Sequence, residues 1–385
     1  MAVTSSVTYV NTQLSSSVMI GKIEDASDYI HELSPWNTPL LNIIPGGIAG
    51  ITVGQPTHYF HEQEWTPGRT TLASAMAAAS GSIKFSDKVF RAGEQVRIDA
   101  EIISLTATSD NASFTCARSA GYSGTATHTA GALCIGANAI TAQGSAAGTA
   151  LAMIQPKQQT NYTCILKEDI MVSGTADAVK RYGRGGISEY DYQKERMLKR
   201  VFKQLEERVW FGFSQAASTT ATGGNMKGIF ESVQGTNSAA LAGANPTWDN
   251  LESYVRSINA WDDSKSDLYF FCSLYFKSVL DSWGQGKVSY PVAANELPNS
   301  LLGNNVTGLY MGGRRVIVIP NNYFDSQGAF INPAMIKVGP LAGRAFFHQY
   351  FGADGDRVKG MVCGEYTCEV ACPHAHYVLT GMKTS

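Results

Sequence analysis

Ile187–Phe213 reads ISEYDYQKERMLKRVFKQLEERVWFGF, a long, densely charged stretch in a chain otherwise rich in Gly, Ser, Thr and Ala. Leu198, Val201, Phe202, Leu205 and Val209 recur at the i, i+3, i+4, i+7 spacing that places apolar groups on one face of a helix. Lys199, Lys203, Glu206 and Glu207 fall elsewhere and are expected to stay wet. Ser188 supplies an N-cap hydroxyl, Asp191 a carboxylate over the first-turn amides, and Gly212 a stop. A helix over the whole stretch is about 35 to 40 Å long, and Glu195 with Lys199 adds an i, i+4 pair in the favourable order. The pattern predicts a beam, which an ordinary amphipathic helix would match equally well.

Working outward, NYTCILKEDIMVSGTA (161–176) reads as a strand that leads through YGRGG (182–186) into the helix. Beyond it, STTATGGN (218–225) is a linker-like turn. Pro246 and Thr247 then open a second helix carrying Trp248, Leu251, Val255, Ile258 and Trp261. DLYFFC (267–272) predicts a buried strand, SLYFKSVLDSW (273–283) a helix and RRVIVIP (314–320) another strand, an alternation that suggests an α/β domain. The loop between them, 284–308, has no periodicity, and the tail from Val358 to Lys383 alternates like a final strand pair. Towards the N-terminus, ITVGQPTHYFHEQEW (51–65) reads as a strand and TPGRTTLASAMAAASGS (66–82) as a loop of small residues. VRIDAEIISL (96–105), SFTCARS (113–119) and ALCIGA (132–137) suggest a small all-β insertion. SPWNTPLLNIIPGG (34–47), with Pro35, Pro39 and Pro45, reads as an extended arm with an apolar anchor at Leu40, Leu41, Ile43 and Ile44.

The 385 residues suffice for two or three domains, and 44% hydrophobic content is that of a globular chain. Charged residues make up only 16%, so a good part of the surface is expected to be covered by other subunits. A net charge of −2 with no Lys/Arg tract leaves no source for the counterion release behind tight nucleic-acid binding. The N-terminus lacks the basic start and apolar core of a signal peptide, no run approaches a membrane span, and the seven cysteines are odd in number and irregularly spaced. These features point to a protein made and kept in a reducing cytoplasm, with no disulfide framework. Asn111, Asn161 and Asn305 sit in N-x-S/T triplets that read as chance matches.

Five segments, in this order around the long helix, resemble the major capsid proteins of tailed bacteriophages, in the group without a long cleaved scaffold segment. SPWNTPLLNII resembles that group's Ser-Pro-x-x-Thr-Pro-x-Leu arm. RSAGYSGTATHTAG (118–131) is similar to its Arg-Gly-x-x-Gly-Thr-x-x-x-His-x-x-Gly insertion motif, and NYTCILKEDIMVSGTADAVKRYGR (161–184) to the strand and Gly turn before its spine helix. IPNNYF (319–324) and GEYTCEVACPHAH (364–376) resemble its Val-Pro-Asn-Arg-Tyr and Glu-Tyr-Thr-Leu-Glu-Val-x-Asn-Pro-x-Ala-His ends. Asn322 departs from the family's Arg, and Cys368 and Cys372 replace a Leu and an Asn.

The resemblance implies the α+β Johnson (Hong Kong 97-like) fold. The expected divisions are an N-terminal arm (1–50), an extended E-loop (51–92), an inserted β subdomain (93–158) and a peripheral domain with the spine helix (159–245). An axial domain (246–360) and C-terminal strands returning to the peripheral domain (361–385) complete it. The function implied is a shell subunit that self-assembles as hexamers and pentamers into an icosahedral head around double-stranded DNA, without sequence-specific binding. Its partners would be a portal and decoration or scaffolding proteins, with no membrane, and it would be assembled in the bacterial host cytoplasm into the virion. An encapsulin-like compartment shell and a phage surface or tail adhesin are the alternatives. On the E-loop, Arg69, Lys84, Lys88 and Arg91 are candidate intersubunit contacts that would pair with acidic groups of a neighbour, against a reading as solvated loop charges.

No catalytic, cofactor or metal site is expected. Cys363, Cys368, Cys372, His374 and His376 are soft or borderline ligands, but their C-x4-C-x3-C-x-H-x-H spacing is no standard zinc knuckle and Pro373 interrupts the strand geometry. HYFHEQE (58–64), with His58, His61, Glu62 and Glu64, lacks the helical H-E-x-x-H spacing and reads as a solvated strand face. There is no G-x-S-x-G elbow, phosphate loop or dinucleotide fingerprint.

Overall fold

The computed structural model describes residues 38–63, 68–87, 89–110, 112–121, 123–137, 156–179, 186–217, 223–262, 266–284 and 306–384. Most of the expected arm and most of the expected loop at 284–308 lie outside them. The chain forms two compact units, one holding Lys167–Val201 and Phe347–Cys363, the other Asn37–Leu166, Phe202–Phe346 and Gly364–Ser385.

In the second unit the chain begins with α1 (Pro39–Ile43), where an extended arm was expected. Pro39 sits at the first helical position, where its fixed φ suits a helix and its missing N–H is no loss. Leu40, Leu41 and Ile44 are buried. The chain then crosses β15 (Ile336–Pro340), donating from Gly50 N–H to Val338 O at 2.9 Å and from Val53 N–H to Pro340 O at 3.1 Å. Gly339 makes that crossing possible, because any Cβ there would strike the Ile51 carbonyl.

Strands β1 (Thr57–Glu62) and β8 (Lys157–Tyr162) form an antiparallel ribbon in which Glu62 faces Lys157. Between them in sequence lie β2 (Arg69–Thr71), β3 (Ser82–Lys84), β4 (Gln95–Ile98), β5 (Glu101–Asp110), β6 (Ser113–Ala117) and β7 (Leu133–Ala137). Their order is β2-β7-β4-β5-β6-β3, with every pair antiparallel. The sheet closes on itself: Leu72 bridges Phe85, Ala73 N–H donates to Lys84 O and Ser86 N–H to Thr71 O, both at 2.9 Å. Closure removes the open edges that would otherwise template association. The barrel has a core of its own, including Leu72, Ile83, Phe85, Val96, Ile98, Ile103, Leu105 and Phe114.

The expected boundary between an E-loop ending at 92 and an insertion starting at 93 falls within this sheet, between β3 and β4 in sequence. Strands β2 and β3 belong to the same barrel as β4 to β7, and Leu72 and Met76, within the loop of small residues, are buried in it. Two three-residue strands separated by turns carry too little alternation to reveal a pairing that only distant partners complete.

The same unit also holds the short α4 (Ile229–Val233), and its α/β core is built from β10 (Ser238–Ala240), α5 (Trp248–Asn259), β11 (Leu268–Cys272), α6 (Leu274–Gly284), β12 (Gly308–Met311), β13 (Arg314–Pro320), β14 (Gly328–Ile331) and β18 (Tyr377–Thr380). The strand order is β10-β18-β14-β11-β13-β12. Leu251, Val255 and Ile258 of α5 and Phe276 and Leu280 of α6 pack with Leu268, Phe270, Val316 and Phe330 from the strands. The C-terminal strand thus completes this sheet. Of the stretch 361–385, expected to return to the peripheral domain, β18 joins this sheet, while β17 (Arg357–Val370) pairs with β15, β16 (Phe347–Ala353) and β9 (Cys164–Ser173). Strands β15 and β16, placed by sequence in the axial stretch 246–360, pair with β17 instead.

The first unit contains α2 (Gly174–Ala178), the β16–β17 hairpin and the opening turns of α3 (Glu189–Phe211). Ser188 Oγ accepts from Asp191 N–H at 3.1 Å, as expected of an N-cap. Tyr190 reaches Gly360, where a side chain would collide with its hydroxyl, and donates to or accepts from His348 Nε2 at 2.8 Å.

Within the second unit the last turns of α3 bury Leu205, Val209 and Trp210, with Trp210 meeting Phe271 and Phe324 edge-on at 4.9 and 4.7 Å. Two residues depart from the expected helix faces: Leu198 is 38% exposed, while Glu206 is fully buried. The buried stripe is rotated towards 206 and 210.

Candidate functional site

The insertion motif acquires its meaning at one end of the barrel. Glu101, which starts β5, is almost fully buried, and Arg118 donates from Nε and Nη2 to its two oxygens, both at 2.7 Å. The same guanidinium donates to the carbonyls of Ala77 and Ala126. Glu101 also accepts from Ser119 N–H at 3.3 Å and Ala126 N–H at 3.0 Å, and His128 bridges it to Asp99 at 3.0 and 2.9 Å. One carboxylate therefore ties together the whole 118–128 loop. The Arg118 fork holds the Glu101 carboxyl down to about 2, so the pair stays charged throughout the physiological range.

The candidate contact residues are dispersed over this barrel. Arg69 is exposed on β2, Lys84 is exposed on β3, and Arg91 is half-buried with its N–H donating to Glu94 Oε2 at 3.0 Å. None of the three has an ion pair among the described residues, and Lys88 lies outside those residues. They do not converge on one point. Register instead sets Arg69 beside Ile135, Ile135 beside Arg97 and Arg97 beside Ile102, an outward row across four strands. Ile135 is 46% and Leu133 50% exposed. Sequence reading passed over Arg97, Leu133 and Ile135. The usable signal was the single inward residue between the last two, Cys134, which makes its neighbours face out.

The HYFHEQE segment is not a solvated face. His58 Nε2 lies 2.6 Å from Glu369 Oε1, and buried Glu62 accepts from the Gln159 amide and, at 2.9 Å, from Cys372 N–H. His61 is exposed, and Glu64 lies outside the described residues. The triplet residue Asn161 is buried and bridges backbone: it accepts from Lys227 N–H at 2.7 Å and donates to Lys227 O at 3.1 Å and Cys368 O at 2.6 Å. Asn111 and Asn305 lie outside the described residues.

The C-terminal thiols and imidazoles have separate surroundings. Cys368 Sγ donates to Lys227 O at 3.1 Å, and burial pushes its thiol up to about 12. Cys372 adopts a left-handed φ of 50° and leads into a short turn. His374 stacks on Trp261 with ring centroids 4.0 Å apart. His376 Nδ1 accepts from Asn332 N–H at 3.3 Å, and burial pushes this imidazole down to about 4. Cys363 is buried on β17. Among the described residues no three His, Cys, Asp or Glu side chains are arranged so that they could hold a metal ion, and no helix is long and apolar enough to cross a membrane.

The model of the SU10 major capsid protein family matches residues 3–383. The chain belongs to that family. Among solved structures, a chain from Microbacterium phage Oxtober96 is 11% identical, with 93% of this chain and 96% of that one covered and a TM-score of 0.50. A capsid chain of an empty GTA particle is 11% identical, with 96% and 99% covered and a TM-score of 0.50. A chain of the holo-SrpI encapsulin complex from Synechococcus elongatus is 10% identical over 60% of this chain and 78% of its own, with a TM-score of 0.41. No curated protein matches the sequence. The SU10 family membership and the Hong Kong 97-like (Johnson) fold make this a structural head-shell protein, an oligomeric component of a phage virion.

Proposed function

We propose that this capsid protein assembles through hexamers and pentamers into an icosahedral head and performs no catalysis. The observation that carries this reading is the family match over nearly the whole chain. Near-neutral charge suits a container for dense DNA, because each phosphate gripped by a cation would add a salt-dependent attachment to be broken on packaging and ejection. In this reading a portal and scaffolding or decoration proteins complete the head, which is built in the host cytoplasm. The barrel serves as the intersubunit module in place of a bare extended loop, and its Arg69–Ile135–Arg97 row, with Lys84 on the same module, meets acidic and apolar groups of a neighbouring copy. Two cations flanking exposed Ile135, with exposed Leu133 two residues along the same strand, are a mixed surface suited to orientation as well as burial.

Electron microscopy of the purified protein tests the proposal. Capsomers or closed shells are expected. A population of small trimers that bind carbohydrate, or stoichiometric zinc whose removal abolishes a hydrolase activity, would defeat it.

A further inference from the structure

Helix α1 begins without a cap of its own. The Thr38 side chain makes no capping hydrogen bond, Pro39 has no N–H, and the next two donors point into protein. Glu206 of α3 meets them: Leu40 N–H donates to Oε1 at 3.2 Å and Leu41 N–H to Oε2 at 3.4 Å. The carboxyl is fully buried, and among the described residues no cation pairs with it. Few charged or titratable groups surround it. On its own helix, Lys203 and Glu207 pair with each other at 3.7 Å. From the loop after β13, the Tyr323 ring lies under the Lys203 ammonium at 5.6 Å, and burial, with Glu206 and Glu207 adding to it, pushes its phenol up. Helix α1, PLLNI, contributes no charge.

We propose that Glu206 is a proton-operated latch on residues 38–44, the segment through which the N-terminal residues join the rest of the capsid subunit. With the carboxyl neutral, Leu40, Leu41 and Ile44 stay seated in the core. With it ionised, a bare charge must either remain in an apolar site or reach water by unseating the segment.

Burial sets the direction, pushing this carboxyl up to about 7 against the smaller opposing pull of the Leu40 and Leu41 amides and the Trp210 indole. An unseated Glu206 in water would titrate near 4.3. The seated form therefore holds a proton that the unseated form releases between those values. Seating is weakest above about pH 7 and strengthens about tenfold per unit as the pH falls from there towards 4.3.

Hydrogen exchange of the Leu40 and Leu41 amides in the full-length chain, corrected for the intrinsic pH dependence of exchange, reads the latch. Protection is expected to be about 30-fold greater at pH 5.5 than at pH 8, and Glu206→Gln, which keeps an accepting carbonyl and cannot ionise, should remove the difference. Equal protection at both pH values in the parent chain, or an unchanged pH dependence in Glu206→Gln, overturns the proposal. Infrared difference titration of the parent chain supplies a readout that needs no variant. A protonated-carboxyl band that disappears around neutral pH is expected, and no carboxyl titrating between about pH 6 and 8 overturns the latch.

Discussion

Arg118→Ala is expected to unfold the barrel while leaving the α/β core folded. The substitution strands the Glu101 carboxylate in a site that is almost fully buried and deletes the donors that hold the carbonyls of Ala77 and Ala126. Breaking one side of a buried ion pair costs about 3 to 5 kcal/mol, because the remaining charge keeps its desolvation penalty. His128 still touches Glu101, at 3.0 Å, but a single imidazole cannot replace a fork that satisfies both oxygens. The barrel has its own apolar cluster, distinct from that of α5, α6 and their strands, so the loss should remain local. Amide exchange in β4 to β7 should accelerate by about two orders of magnitude or more, with β11, β13 and β14 unchanged. Arg118→Lys, keeping the charge without the fork, should fall between. Since the folded Glu101 carboxyl lies well below its unfolded value, its contribution is complete above about pH 5 and lost as the pH falls towards 2. Barrel exchange in the parent chain should speed up over that acid window. Unaltered exchange in Arg118→Ala would refute the clamp.

What the sequence disclosed depended on how local the governing interactions are. The spine helix was legible because its apolar spacing repeats for several turns and its cap at Ser188 is three residues long. The α/β elements from Trp248 to Pro320 were legible for the same reason. The closure of the barrel was not: Leu72 meets Phe85 through a bridge, and Thr70 meets Cys134 across more than half the barrel sequence. The motif 118–131 could be recognised as a resemblance, yet its physical role required Glu101, which lies outside it. Glu206 was misplaced because a charged residue on an amphipathic helix is ordinarily solvated. Its burial answers to a missing cap on α1, a need visible only when the two segments meet. His58 and Glu62 were misread in the same way, since Glu369 and Cys372 are supplied from the other end of the chain.

Excising the barrel should separate folding from assembly more sharply than any point substitution. Glu62 and Lys157 face each other across the β1–β8 ribbon, so a short Gly-containing turn can join them in place of Gln63–Pro156 without moving either strand. The excised segment carries its own core. The remaining chain keeps Asn161, Glu62 and the whole α/β cluster, and should be soluble with the same helix content and thermal transition of that core. The narrower deletion of Pro67–Gly81 should not behave this way, because it removes β2 together with buried Leu72 and Met76 and leaves the other strands unclosed. Leu205→Asp provides the opposite control: an unpaired carboxylate at a fully buried position of α3 costs several kcal/mol and should yield insoluble protein. If the barrel is the intersubunit module proposed here, the excised chain should sediment as subunits or small oligomers where the parent forms shells. Each subunit-to-subunit contact is weak and the shell sums many of them, so losing one contact per copy acts on the whole lattice at once. Sedimentation velocity of the parent and the excised chain at equal concentration decides the point: complete closed shells from the barrel-less chain would assign the barrel to display on the capsid and return the work of assembly to the α/β core and the spine.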